Sequence, residues 1–142
     1  MSGAGSACTV CGGRWPDAVH RIAELQESTL YLHVDQFFPG WSVLVLRRHA
    51  TELFDLEDDE RARLMNDVSH VARALKLAFD ARKVNYALFG NLVPHIHWHL
   101  IPRLATDPAP REAVFAVSHD PVRLPSVERV ARIARIRARL GQ

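Results

Sequence analysis

Hydrophobic positions along the chain follow two periods. Between residues 29 and 34, Thr29, Tyr31 and His33 interleave with Leu30, Leu32 and Val34, a period of two that predicts a half-buried strand. Residues 18–25 read as a strand before it. Residues 37–40, FFPG, are turn chemistry, because proline presets φ and glycine accepts positive φ. The Val- and Leu-rich run 42–47, SVLVLR, follows as a strand and makes a hairpin candidate. From Thr51 the period lengthens. TELFDL predicts a single turn, Asp55 or a neighbour is expected to cap the helix that follows, and the acidic run 57–60 sits at the positive end of that helix's dipole. Leu64, Met65, Val68, Val71, Ala72, Leu75, Ala78 and Phe79 then recur at spacings of three and four, which predicts a helix over 58–82. Residues 84–89 and 95–101 read as two more strands parted by Gly90-Asn91, a second hairpin. Pro102, without an amide N–H, is expected to end ladder pairing. Residues 104–121 are proline-rich and irregular. Ser126 is expected to cap a last helix, with Val127, Val130, Ile133, Ile136 and Leu140 on its apolar side. Strands, then a long helix, then strands argue for an α+β fold with an antiparallel sheet.

One stretch inside that pattern carries chemistry. Residues 94–103, PHIHWHLIPR, put His95, His97 and His99 at alternate positions. On a strand, alternate side chains share a face, so the three imidazoles stand together while Ile96, Trp98 and Leu100 face the other way. Such a row suits a metal site or a nucleophile and proton-transfer site, and in the plainest case is a set of hydrogen-bonded histidines. Same-face neighbours on a strand lie about 7 Å apart. H-x-H therefore supplies two metal ligands readily, whereas three from one strand strain the geometry. Nucleophilic catalysis needs one imidazole on the substrate, with flanking groups to orient it and stabilise charge.

HIHWHLI resembles the signature of the histidine triad (HIT) superfamily of nucleotide hydrolases and transferases. The likeness extends to Asp35, to SVLVLRRH ending in His49, to ELFDL and the long helix, and to VNYALFGN before the triad, about residues 8–103. The resemblance implies a HIT-like fold: a five-stranded antiparallel sheet, one long helix and a C-terminal helix, the tail and last helix (104–142) completing a single domain over 1–142. It implies cleavage at the α-phosphate of dinucleoside polyphosphates or nucleoside phosphoramidates. His97 would attack phosphorus to give a covalent nucleotidyl-histidine that water hydrolyses. His99 would donate to the phosphate oxygens, Asn91 would contact phosphate, Asp35 would hold the ribose, and Asn85 falls near the pocket. Leu30, Leu32 and Phe37 are candidates for walling the base, or plain core. A neutral imidazole, with an ordinary pKa of about 6.5, is a good nucleophile at neutral pH. Attack on phosphate needs donors around the non-bridging oxygens more than it needs a strong base. One departure stands out: many members carry a histidine where this chain has Trp41, which bears on turnover and leaving-group preference. A zinc-containing nucleotide-binding protein with little or no turnover is the alternative reading.

Cys8 and Cys11, followed by Gly12 and Gly13, resemble a zinc knuckle, whose glycines permit the tight turn beneath a metal. Some bacterial-type HIT proteins complete such a site with the histidine at the end of the RR strand and the first histidine of the triad. By that resemblance the ligands are Cys8, Cys11, His49 and His95 around a structural zinc, with His20 or His33 as alternatives for one place. A pair of free, reduced thiols is the plain alternative. If His95 holds zinc, His97 and His99 are left to face substrate.

Composition sets the outer limits. The chain has 142 residues, 48 % hydrophobic and 24 % charged, with a formal net charge of +2. These are ordinary values for one globular domain. Weak basicity suits an anionic small ligand and gives no reason to expect nucleic acid. The arginines of the last helix lie on more than one face and read as a solvated surface, and Arg103 is either a phosphate contact or a surface ion pair. No apolar run approaches the ~18 residues of a membrane span. The start, residues 1–7, reads as frayed small residues rather than a secretory signal, and two cysteines spaced C-x2-C suit a reducing compartment. A cytoplasmic location is expected, and the resemblance implies a homodimer whose sheets join across the interface.

Overall fold

The computed structural model describes residues 7–141; apart from Ala7, the start expected to be frayed lies outside the described residues. Five strands form one wholly antiparallel sheet in the order β1-β2-β3-β5-β4. They are β1 (Arg21–Glu24), β2 (Ser28–Leu32), β3 (Ser42–Leu46), β4 (Lys83–Ala87) and β5 (His97–Arg103). The long helix α1 (Asp58–Phe79) lies between β3 and β4, and α2 (Ser126–Leu140) closes the described chain. No helix among the described residues is long and apolar enough to cross a membrane.

The α+β pattern and both hairpins are as the periods predict. β3 is buried at every position because it lies between β2 and β5 and both of its faces are covered. Leu30, Leu32, Leu44 and Leu100 face the helices and pack with Val68, Val71, Leu75, Phe79, Ile133 and Ile136. Each such side chain stabilises the fold by about 1.5–3 kcal/mol. A polar clip ties helix to sheet. The buried Asp67 carboxylate of α1 accepts hydrogen bonds from the Gln26 and Glu27 amides at 3.1 and 2.8 Å and from Ser28 Oγ at 2.7 Å.

Several boundaries differ from the sequence expectation, each for a local reason. Residues 18–20 form a 3-10 turn, capped by the Asp17 carboxylate on the Val19 amide, and only then does β1 begin. The helix expected over 58–82 ends at Phe79, where Asp80 takes the left-handed conformation at φ 50°. Ser126 does not cap α2: Pro125 holds the N-cap place and Ser126 is the first helical residue. Met65, Val127 and Val130 lie on the solvent side. Pro102 does not end the ladder, since β5 runs on to Arg103 with Pro102 opposite Val84. Alternate residues of β5 turn their backbone groups to opposite neighbours. Arg103 O accepts from the Arg82 amide on the β4 side, so the missing N–H of Pro102 points to the β3 side, beyond the last β3 pairing of Ser42 with Leu100.

The other sheet face carries the triad. Register places Val43 opposite His99 and Val45 opposite His97. Two irregular segments cover this face. The N-terminal stretch brings Cys8, Cys11 and Trp15 over one end. The segment 104–122 returns over the other, where Val114 packs with Phe38, Trp41 and Ile101. Arg103, expected to be a phosphate contact or a surface pair, is instead a buried anchor for that segment. It binds Asp107 through two nitrogens, at 2.5 and 3.2 Å, and donates to the Ala109 and Glu112 carbonyls, each at 2.6 Å. Its fifth hydrogen bond goes to Asn85 Oδ1 at 2.7 Å.

Candidate active site and metal centre

The strand expected over 95–101 begins at His97, so His95 lies just before β5, and each of the three rings is held by a different neighbour. His95 is 1 % exposed, and its Nε2–H donates to the Leu46 carbonyl at 2.6 Å. A carbonyl can only accept, so the lone pair of His95 is on Nδ1. That atom lies 3.4 Å from Cys8 Sγ, 3.7 Å from Cys11 Sγ and 3.2 Å from His49 Nδ1. Cys11 Sγ to His49 Nδ1 is 3.5 Å, and the four donor atoms all lie within 4.8 Å of one another. With metal–sulfur and metal–nitrogen bonds of about 2.3 and 2.0–2.1 Å, a tetrahedral site has S···N edges of about 3.6 Å and an N···N edge of about 3.3 Å. The observed separations match. Cys8, Cys11, His49 and His95 are therefore positioned to bind a metal ion, and the Leu46 carbonyl supplies the outer hydrogen bond that fixes a ligating imidazole. His20 and His33 stay outside the cluster.

His97 is turned the other way. Its Nδ1–H donates to the His95 carbonyl at 2.7 Å, so Nε2 carries the lone pair. The ring is buried at 6 % exposure, in T-shaped contact with Trp15 and His99, whose ring centroids lie 5.1 and 5.4 Å from its own. An imidazole so oriented is able to act as a nucleophile, since one nitrogen is occupied by backbone and the other keeps its lone pair. His95 thus joins the four-residue cluster through its ring and orients His97 through its carbonyl.

His99 has the opposite tautomer. The Trp41 indole N–H, which can only donate, points to His99 Nδ1 at 3.0 Å, leaving the proton on Nε2. Burial first, then the neighbouring His33 and His97, push the His99 pKa down to about 3, so the ring is neutral at physiological pH. His33 stacks on Trp41, with centroids 4.1 Å apart and planes within 11°, and burial lowers its pKa as well. Phe115, from the covering segment, stands edge-on to His99 at 5.0 Å and to Trp41 at 5.5 Å.

Beside the triad opens a cleft of about 230 Å³ lined by Arg14, Trp15, Asp17, His33, Val43 and Arg123. It is continuous with a second hollow of about 270 Å³ through shared His20, His33 and Arg123, and Arg129 lines the latter. The lining carries more cationic than anionic groups, as an anionic ligand requires.

The remaining sequence-selected residues are less closely gathered. Asp35 Oδ1 accepts from the Phe37 and Val122 amides, each at 3.0 Å, and Oδ2 receives the Nε2–H of His119 at 2.7 Å. Burial opposes the charge of Asp35, but bonds from Val122, His119 and Phe37 outweigh it and hold the carboxyl below its ordinary range. His119 also donates from Nδ1 to the Val117 carbonyl at 2.9 Å, so both ring nitrogens carry protons and its pKa is raised, first by Asp35. Asn85 gives its oxygen to Arg103. Asn91 is exposed in the loop between β4 and β5, with no hydrogen bond to the triad among the described residues. Leu30 is core; Leu32 is core that also borders the cleft; Phe37 stacks on His119 at 4.2 Å. Sequence reasoning missed Trp15, Phe115 and His119. All three lie in segments without periodicity, where no local signal marks a residue that only chain return brings to the site.

A model of the HIT domain family matches residues 18–106, and the chain belongs to that family. Among solved structures, a histidine triad protein from Bradyrhizobium japonicum has 36 % identity and a TM-score of 0.77, covering 84 % of this chain and 89 % of that one. A zinc-bound histidine triad family protein from Mycobacterium smegmatis has 25 % identity and a TM-score of 0.69, over 97 % and 96 % of the two chains. The asymmetrical bis(5'-nucleosyl)-tetraphosphatase of Schizosaccharomyces pombe is 27 % identical over 94 residues. That match spans 63 % of this chain and 52 % of the yeast enzyme, so the chain covers about half the length of this relative.

Proposed function

We propose that the protein is a nucleotide hydrolase or transferase acting at the α-phosphate of dinucleoside polyphosphates or nucleoside phosphoramidates, through a nucleotidyl-histidine on His97. The observation that carries this reading is the bond from His97 Nδ1–H to the His95 carbonyl, which leaves the Nε2 lone pair directed away from the backbone. The lone pair forms the N–P bond while the bond to the leaving group breaks. Water then attacks phosphorus, the N–P pair returns to Nε2, and a nucleoside monophosphate departs. His99 donates its Nε2–H to a phosphate oxygen. The loop holding Asn91 adds a further donor, and Asp35 reaches the ribose when His119 releases its carboxylate. Asn85 acts one step away by holding Arg103. The yeast tetraphosphatase, whose name records chemistry of this class, supports the assignment.

Zinc is the metal we assign to Cys8, Cys11, His49 and His95. Two thiolates and two imidazoles fill the four places of a tetrahedral ion and make a structural centre. When bound, the ion ties the N-terminal segment to the triad strand and takes no part in the reaction. The open edge of β4, beside exposed Tyr86, Phe89 and Leu92, is where a second copy of the chain would join the sheet in a homodimer.

The test is turnover of labelled diadenosine tetraphosphate and adenosine phosphoramidate by wild type and His97→Ala, with and without chelator. Activity that resists brief chelation and vanishes in His97→Ala is the expected result. Binding without turnover would replace this reading with that of a nucleotide-binding protein, and activity that requires added metal at the triad would overturn it.

A further inference from the structure

The Trp41–His99 pair does more than fill a place. In the reaction proposed above, the nucleotidyl-histidine forms as the bond from phosphorus to the leaving group breaks, and that group departs with the bonding pair. Two leaving groups differ sharply in what they then need. From an anhydride the departing atom is the bridging oxygen of a phosphate, whose second pKa is near 6. It leaves as a stable anion at pH 7, and no proton has to be supplied. From a phosphoramidate the departing atom is nitrogen, which leaves as a neutral amine only after gaining a proton. A site that cleaves P–N bonds therefore needs a general acid at the leaving group, a contribution typically worth 10²–10⁴-fold.

We propose that the Trp41–His99 hydrogen bond makes this site selective for phosphoanhydrides over phosphoramidates, by presenting His99 as a fixed hydrogen-bond donor rather than as a proton donor. The indole nitrogen holds its proton permanently, so it can neither accept one from His99 nor pass one to it. With Trp41 Nε1 3.0 Å from Nδ1, His99 is confined to the tautomer with hydrogen on Nε2. Giving that hydrogen away would leave an imidazolate, since Nδ1 has no proton to make good the loss. A charged His99 would serve as an acid, but burial and the flanking His33 and His97 keep it neutral. The other groups around it offer no substitute. Phe115 and Trp41 do not ionise in water, His97 is the nucleophile, and burial holds the stacked His33 below its ordinary value. His119 packs against Phe37 and Phe38 beside Asp35, and among the described residues it makes no ring contact with His99. Trp41 is thus a positioning residue, acting through His99, and His99 stabilises phosphate charge without moving a proton to the leaving group.

This inference rests on the covalent reading of His97, and its test separates the two. With metal-loaded protein, kcat/KM is measured for diadenosine tetraphosphate and for adenosine phosphoramidate. The expected preference for the anhydride is about 100-fold or more, the lower bound of a missing general acid. Within a series of adenylates with oxygen leaving groups, log kcat is expected to fall steeply as leaving-group pKa rises, with KM little changed. In Trp41→His the ratio narrows by about tenfold or more through a gain in phosphoramidate kcat. In Trp41→Phe anhydride turnover falls and phosphoramidate turnover does not rise. Nitrogen-15 spectra of histidine-labelled wild type should show His99 protonated on Nε2 alone near pH 7; this reading does not depend on any variant folding. Equal kcat/KM for the two substrates, each dependent on His97, would overturn the selectivity while leaving the covalent reading intact. A His99 protonated on Nδ1 would also overturn it. Loss of His97 dependence with both substrates would bring down both.

Discussion

Replacing Arg103 by methionine tests how the segment that completes the site is held. The Arg103 side chain is 5 % exposed and that of its partner Asp107 is 2 % exposed. Burial alone would raise the Asp107 pKa, but the bonds from Arg103 and from the Ala109 amide overcome it and hold the carboxyl charged below its ordinary range. Methionine keeps much of the volume over the Phe38 ring, where the guanidinium now sits 5.2 Å from the centroid. It strands a buried carboxylate and leaves Asn85 Oδ1 and the Ala109 and Glu112 carbonyls without their donor. Breaking a buried pair from one side costs about 3–5 kcal/mol. For 142 residues the unfolding entropy is about 0.3 kcal/mol/K, so Tm should drop by about 10–17 °C. Removing both charges, as Arg103→Met with Asp107→Leu, takes away the stranded ion and should recover more than half of that loss. Calorimetry and urea titration of the three proteins measure both quantities. A single variant within about 3 °C of wild type, or a double variant no better than the single, would refute the assignment of Arg103 as anchor.

Three further outcomes follow from the same geometry. Metal analysis should find one zinc per chain, lost in Cys8→Ser and in His49→Ala. With free zinc at a thousand times Kd its removal costs about 4 kcal/mol, so an unchanged Tm after exhaustive chelation would sink the structural role. His119 has a raised pKa, so its bond to Asp35 is at full strength below about pH 6.5 and is lost as pH rises through the raised value. Hydrogen exchange at the Val122 amide should therefore quicken with pH beyond its intrinsic dependence, and Asp35→Asn should abolish that excess. Gly40 sits at φ +90°, where an added Cβ would lie 2.7 Å from Phe79 Cε2 and 2.8 Å from Pro102 Cγ. Gly40→Ala should cost about 2–5 kcal/mol in urea unfolding, from backbone strain and overpacking together; a loss below about 1 kcal/mol would contradict the close approach.

The sequence by itself determined the elements that have a period. The alternation at 29–34, the apolar run at 42–47 and the stripe in α1 are one-dimensional records of which face is buried, and so the α+β class and the shared face of His97 and His99 were legible. The metal set was legible only with the family likeness added, because nothing local links Cys8 to a histidine 87 residues away. Tertiary structure decided the rest, and in each case the deciding contact is between segments remote in the chain. Which nitrogen of His97 is free depends on the His95 carbonyl, and which nitrogen of His99 carries hydrogen depends on Trp41, 58 residues earlier. Pro102 reads as a strand end in one dimension and is harmless in three, since its bare nitrogen faces a side where β3 has already stopped. Arg103 reads as a phosphate contact or a surface ion pair and is instead buried, because 104–122 folds back over it. A periodic pattern records burial along one element; tautomer, ligand set and lid depend on how elements meet, and only the folded chain fixes that.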